Sequence, residues 1–342
     1  MYSMIILKDF ELKAGNHCLY SALYNLFQYL KINLQEYEIF FLCNGFSLKI
    51  DESDTNNKML DELLGIIKID YQTQLETLSN RTLINSIHVL YSNKQQAQTK
   101  FIHDLSNELM ERRPLLVFVK SKALKYHVME NPRDNLGAHS LLIKGFDSTN
   151  QFIYLADSFV TNFNNQKSTV ESTVLLNEIE PYIIAYCQFR VEKFKYSRKL
   201  LYTSLIYDLK NYLNSNKYKG IICGHNALCQ IMINIDNMVD NLFLPINQNN
   251  FISLIFLMKA YFYMILPYFE LFIIQEKNLY LHRDKLIQKI HELQNNWNSF
   301  FLRCMSAIGD KSCNIKKIIK SGLEAVDKQA EFFKMLLKAM EL

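Results

Sequence analysis

Three side chains far apart in the 342-residue chain have types and settings that suit nucleophilic catalysis through sulfur. Cys18 stands in Gly15-Asn16-His17-Cys18-Leu19-Tyr20-Ser21-Ala22-Leu23, where a polar turn gives way to an apolar helical pattern. A thiol at a helix start faces unsatisfied backbone N–H groups and the positive end of the dipole, which favour the thiolate. The small Ser21 and Ala22 in the first turn let another element pack close. His139 lies in Ala138-His139-Ser140-Leu141-Leu142-Ile143, and Asp157 in Ile153-Tyr154-Leu155-Ala156-Asp157-Ser158. Asp147-Ser148-Thr149-Asn150 has turn chemistry, and residue 148 is midway between 139 and 157. A hairpin closed there sets imidazole and carboxylate opposite each other within one or two positions. The carboxylate then holds one ring nitrogen and leaves the other for the sulfur. A cysteine in an apolar helix is commonly inert core, and a histidine beside a strand is commonly just hydrogen-bonded. Chain order, hairpin arithmetic and local context together favour a catalytic trio over that reading. His17 adjoins Cys18 on the helix start, is expected to point elsewhere, and is not assigned as the base.

A second cluster, Cys223-Gly224-His225-Asn226-Ala227-Leu228-Cys229, has metal-ligand residue types. A structural zinc site needs four ligands at suitable spacing. The chain has no CxxC and shows no fourth ligand, so no metal is assigned. Gly224 reads instead as a turn into a helix, and a glycine turn permits close approach. Tyr20, Gly224 and His225 are therefore candidate substrate contacts. Cys43, Cys187, Cys304 and Cys313 sit in apolar or helical settings and read as structural. His88, His103, His127, His282 and His291 lack partners at diagnostic spacing.

The elements that must position these groups divide near residue 195. Residues 1–195 mix helices and strands: a helix over Asn16–Tyr29, an apolar stretch at Phe40–Ile50 read as partly extended, a short helix at Lys58–Leu64 and a strand at Ile66–Tyr71. A helical region follows over Leu83–Leu109, broken near Ser92. Strands are expected at Pro114–Val119, Ala138–Phe146, Phe152–Ser158 and Tyr182–Phe194. Residues 196–342 read as wholly helical, over Ser197–Asn214, Ala227–Leu242, Phe251–Ile274, Asn278–Ile308 and Ser312–Met340, with polar loops at Ser215–Lys219 and Asn247–Asn250. The expected class is α+β, with a helix bearing the cysteine packed on an antiparallel sheet and an all-α C-terminal domain.

Composition narrows the function classes. Hydrophobic residues make up 49% of the chain, which argues against disorder. Nine Gly, five Pro and no GxGxxG or GxxxxGK[ST] leave dinucleotide and P-loop sites unsupported. The net charge of +4 is too mild to indicate nucleic acid. Lys259, Pro267 and Glu270 interrupt the apolar run 251–275, so a buried helix is a better reading than a membrane span. Met1–Lys13 has charges at Lys8, Asp9 and Glu11 and no long apolar run, unlike a secretory signal. A cytoplasmic setting with reduced thiols is expected.

Cys at a helix start, then His-Ser-Leu-Leu-Ile on a strand, then Asp on the next, resembles the papain-like superfamily, especially its bacterial-type peptidase and transglutaminase-like branches. The motif match covers roughly residues 14–160. The His17-Cys18 dipeptide and the helical second half resemble the cysteine acyltransferases of peptide and aminoglycoside antibiotic assembly, such as the butirosin side-chain transferases and the closthioamide-type amide synthases. The resemblance implies a papain-like N-terminal domain, Cys18 as nucleophile, His139 as base and acid, and Asp157 as the orienting residue. It implies no cofactor, a phosphopantetheine-bearing acyl or peptidyl carrier protein as donor, and an amine (a small diamine in the closthioamide case) as acceptor. One departure is that Phe10-Glu11-Leu12-Lys13-Ala14 holds no oxyanion-hole Gln, which leaves Asn16 and the Cys18 backbone N–H as candidate donors. Lys316, Lys317, Lys320 and the pair Arg198-Lys199 offer a positive face to an acidic carrier, or simply a solvated helix surface. A cysteine peptidase or amidase using the same trio, and a non-catalytic partner-binding protein, remain the alternative readings.

Overall fold

A computed structural model describes residues 4–51, 71–91, 95–126, 138–161, 167–214, 221–237, 264–309 and 315–341. The first elements are β1 (Met4–Ile6), α1 (Cys18–Tyr29), α2 (Glu36–Leu42), β2 (Lys49–Asp51), α3 (Tyr71–Thr82), β3 (Asn85–Leu90), α4 (Gln95–Met110) and β4 (Leu115–Lys120). Next come β5 (Ala138–Asp147), β6 (Phe152–Thr161), β7 (Lys167–Leu175), α5 (Leu176–Ile179) and β8 (Ile183–Arg190). The rest of the chain forms α6 (Arg198–Asn214), β9 (Ile221–Cys223), α7 (Gly224–Asn237), α8 (Leu266–Gln275), α9 (Arg283–Gly309) and α10 (Ile315–Met340). The chain divides into two compact units, Met1–Ile39 with Leu75–Lys195, and Phe40–Gln74 with Tyr196–Leu342.

The first unit is built on one antiparallel sheet of order β3-β8-β4-β5-β6-β7. β1 pairs with Gly145–Asp147 of β5, and β4 pairs with Ala138–Ile143 of the same strand. Consecutive residues Leu115–Val119 and Ser140–Ile143 are all buried, so these central strands are covered on both faces and read as unbroken apolar runs. α1 packs on β5 and β6. Its Leu19, Leu23, Leu26 and Phe27 are fully buried, and Phe27 meets Phe189 edge-on at 5.6 Å. β7, exposed along much of its length, gave no apolar signal to find it by.

Two stretches differ from expectation. Residues 83–90 are not helical: Leu83 takes a left-handed φ of 63° beyond α3, and β3 then pairs residue by residue with β8. The β-branched Ile87 and Val89 suit that pairing. The stretch 40–50 is not extended at its start, since α2 runs to Leu42 before β2 begins. The short helix and strand expected over 58–70 lie outside the described residues.

The second unit carries Phe40, Phe41 and Phe46 as part of its own core. Phe40 stacks on Tyr268 at 4.4 Å, Phe41 meets Phe269 at 5.0 Å and Phe46 meets Phe333 at 5.6 Å. Each ring is buried, and full burial of such a side chain is worth about 1.5–3 kcal/mol. That outweighs chain proximity to the first unit and explains why 40–74 belongs here. The unit is not all-α, because β2 pairs antiparallel with β9. α10 packs against α6, α7 and α9, and the buried Gln329 amide accepts from Trp297 Nε1 at 3.0 Å and donates to Tyr212 Oη at 2.9 Å. The described part of the apolar run 251–275 is α8, buried through Leu266, Tyr268, Phe269, Phe272 and Ile273. No described helix is long and apolar enough to cross a membrane. Residues 238–263, with the loop expected at 247–250, and the loop expected at 215–219 lie outside the described residues.

Candidate active site

The start of α1 is clamped by short polar side chains. Asn25 grips Lys13 through both backbone groups, with its Oδ1 accepting at 2.7 Å and its Nδ2 donating at 2.9 Å. The Gly15 N–H donates to the Ser158 carbonyl at 3.0 Å. A Cβ on Gly15 would lie 2.1 Å from the Ser21 Cβ, so glycine is required for this approach. Ser21 and Ser158 hydroxyls meet at 2.8 Å, and Ser21 also bonds the His17 carbonyl at 2.7 Å. Small residues in the first turn thus let the helix start sit directly on β6, next to Asp157.

Cys18 is the first residue of α1, and the His139 side chain lies close enough to its thiol to lower the thiol pKa. His139 Nε2 lies 2.8 Å from Asp157 Oδ2. That leaves Nδ1 as the ring nitrogen for the sulfur. The pairing Leu142–Ala156 sets Asp157 across from Leu141, diagonal to His139: the hairpin closes on the pair Asp147–Phe152, beyond residue 148, and the irregularity between Ile143 and Gly145 takes back one residue of that offset. Relative exposures are 9% for Cys18, 7% for His139 and 0% for Asp157.

Asp157 is held by more than the histidine. Its Oδ1 accepts from the Phe159 N–H at 3.0 Å, and its Oδ2 also accepts from Tyr126 Oη at 3.1 Å. Tyr126 had no spacing signal in the sequence, since only the fold brings it to the carboxylate. Burial, then the Asp157 charge and the hydrogen bond, push its phenol pKa far up, so it stays a donor.

Electrostatics separate the groups. Burial raises the Cys18 thiol, but the His139 hydrogen bond and charge, with Ser140, outweigh burial and bring it below its ordinary value of 9.0. Burial opposes a charge on His139, yet the Asp157 carboxylate and the thiol raise its pKa to about 10. A sulfur anion beside an imidazolium is the state both shifts favour. The fully buried Ser140 hydroxyl has no oxygen or nitrogen partner among the described residues, and its effect falls on the sulfur. His17 behaves oppositely: burial and the nearby His139 charge lower it to about 4. Its Nδ1 caps α1 by accepting from the Leu19 N–H at 3.2 Å.

The other candidate residues fall elsewhere. Asn16 spends its side-chain N–H on Glu36 Oε2 at 3.2 Å, and its carbonyl oxygen accepts from Lys167. Tyr20 is buried, with its ring 4.8 Å from His17. Gly224 and His225 belong to the second unit. There Gly224, at φ 58°, opens α7 so close to Tyr212 that a Cβ would lie 2.4 Å from its carbonyl oxygen. His225 Nε2 lies 3.6 Å from Cys229 Sγ, and burial raises the Cys229 thiol. Among the described residues, no three His, Cys, Asp or Glu side chains are placed to hold a metal ion. Lys316, Lys317 and Lys320 are exposed on α10, while Arg198 pairs with Glu276 at 3.0 Å.

No family model matches the chain, and no curated protein matches it.

Proposed function

We propose that the protein is a thiol-dependent acyltransferase with a papain-like catalytic unit, forming an amide through an acyl-Cys18 intermediate. The observation that carries this reading is the 2.8 Å His139–Asp157 hydrogen bond beside the Cys18 thiol at a helix N-terminus, with His139 lowering the pKa of that thiol. In the first half-reaction Cys18 Sγ bonds to the carbonyl carbon of a thioester and the carbonyl pair moves onto oxygen. As that pair returns, the bond to the leaving sulfur breaks and the leaving thiolate takes the proton from His139. In the second half an amine bonds to the same carbon and His139 accepts a proton from the amine nitrogen. The Cys18 sulfur then leaves, restoring the enzyme and releasing the amide.

By the resemblance of its motifs, the donor is a carrier-protein thioester and the acceptor a small amine or diamine. The test is intact-protein mass spectrometry with an N-acetylcysteamine thioester. The expected result is one acyl mass on Cys18, absent in Cys18→Ala, that clears faster with added amine than in buffer. Equal clearance would make the protein a hydrolase. An absence of acylation would leave a binding role.

A further inference from the structure

We propose that His17 is a further catalytic residue, donating from Nε2–H to the substrate oxygen that gains negative charge when Cys18 attacks, beside the Cys18 backbone N–H. This rests on the acyl-enzyme reading above. Attack by sulfur moves the carbonyl pair onto oxygen, and that oxygen needs preorganised donors near the nucleophile. Cys18 opens α1, so its own N–H has no intrahelical acceptor, and none of the described residues accepts it. Asn16 gives its backbone N–H and one side-chain N–H to Glu36, and its Oδ1 accepts from Lys167. His17 is the next polar side chain at that helix end.

The cap fixes what His17 offers. Its Nδ1 accepts the Leu19 N–H at 3.2 Å and therefore carries no proton. A neutral ring must then carry its proton on Nε2. The ring stays neutral because burial and the neighbouring His139 hold its pKa near 4. No described residue accepts from Nε2. The ring lies 4.8 Å from Tyr20 and is stacked with Phe159 at 6.5 Å. The Phe159 N–H is itself bound to Asp157, so the ring packs on the strand that orients the base. The two imidazoles thus divide the labour: His139 moves protons and His17 keeps one.

The experiment compares the full-length protein with His17→Asn and His17→Ala in two reactions of Cys18. Acylation by hexanoyl-N-acetylcysteamine generates an oxyanion, whereas alkylation by iodoacetamide does not. Asn keeps an oxygen to cap Leu19 while removing the distal N–H. Loss of one such donor costs on the order of 10²–10³-fold in rate, so acylation should fall by that factor in both variants. Alkylation should stay within about threefold of the parent. Acylation of His17→Asn at the parent rate, or alkylation falling in step with acylation, would overturn the assignment and leave His17 as a helix cap. Failure of the parent itself to acylate would overturn the acyl-enzyme reading and this inference with it.

Discussion

Asp157→Asn separates the proton-sharing role of the carboxylate from mere burial. The carboxylate accepts three hydrogen bonds, from His139, Tyr126 and the Phe159 N–H. An asparagine has one acceptor oxygen. If that oxygen keeps Phe159, the amide N–H₂ faces His139 Nε2, which must become an acceptor. The ring proton then moves to Nδ1, on the sulfur side, in the wrong tautomer for a base. The imidazolium also loses the charge that holds it near pKa 10, and burial then drives its pKa down. With no imidazolium beside it, the Cys18 thiolate loses its main support and its pKa climbs toward or above 9.0. Alkylation by iodoacetamide across pH reads this directly. In the parent, the rate should rise to half-maximum below pH 9.0 and then level off once the thiolate is fully formed. In the variant, the midpoint should rise. Each pH unit of rise costs roughly tenfold in thiolate at neutral pH and returns about threefold in intrinsic nucleophilicity, a net loss of about threefold. Acylation should fall further, by about 10²-fold or more, because it also needs proton transfer. An unchanged alkylation midpoint would refute the reasoning.

Two other perturbations test one residue in each unit. Tyr126→Phe removes one of two donors to Asp157 Oδ2; acylation should drop by about tenfold to a hundredfold, the scale of a hydrogen bond to a charged group, with the circular dichroism spectrum unchanged, and a parent-like rate would remove Tyr126 from the site. Gly224→Ala puts a Cβ 2.4 Å from the Tyr212 carbonyl oxygen at a left-handed φ; urea unfolding should show a loss of about 2–4 kcal/mol, and a neutral substitution would mean that the β9–α7 turn relaxes freely.

The helix start at Cys18 and the hairpin that joins His139 to Asp157 were legible because they rest on local signals: a polar turn before an apolar period, and turn residues at a midpoint. The diagonal offset of the pair was not, because the hairpin closes on Asp147 and Phe152, and the turn residues between the strands do not say which pair closes it. Tyr126 was invisible for a similar reason. It reaches Asp157 only after chain folding, and nothing in its neighbourhood distinguishes it from other exposed-looking tyrosines. The segment 83–90 misled the reading because Leu, Ile and Val serve helix and strand alike over short runs. The placement of 40–74 was decided by aromatic contacts with residues more than two hundred positions away. No window along the sequence contains that information.

The bond from Gly15 to Ser158 and the paired serine hydroxyls fasten the sulfur-bearing helix to the residue that follows Asp157. Cys18 and Asp157 are thereby mounted on one bracket. Partial loosening of the first unit should switch reactivity off abruptly rather than dull it by degrees. The rate at which that single thiol reacts is consequently a gauge of the integrity of the whole bracket, legible even before a natural substrate is in hand.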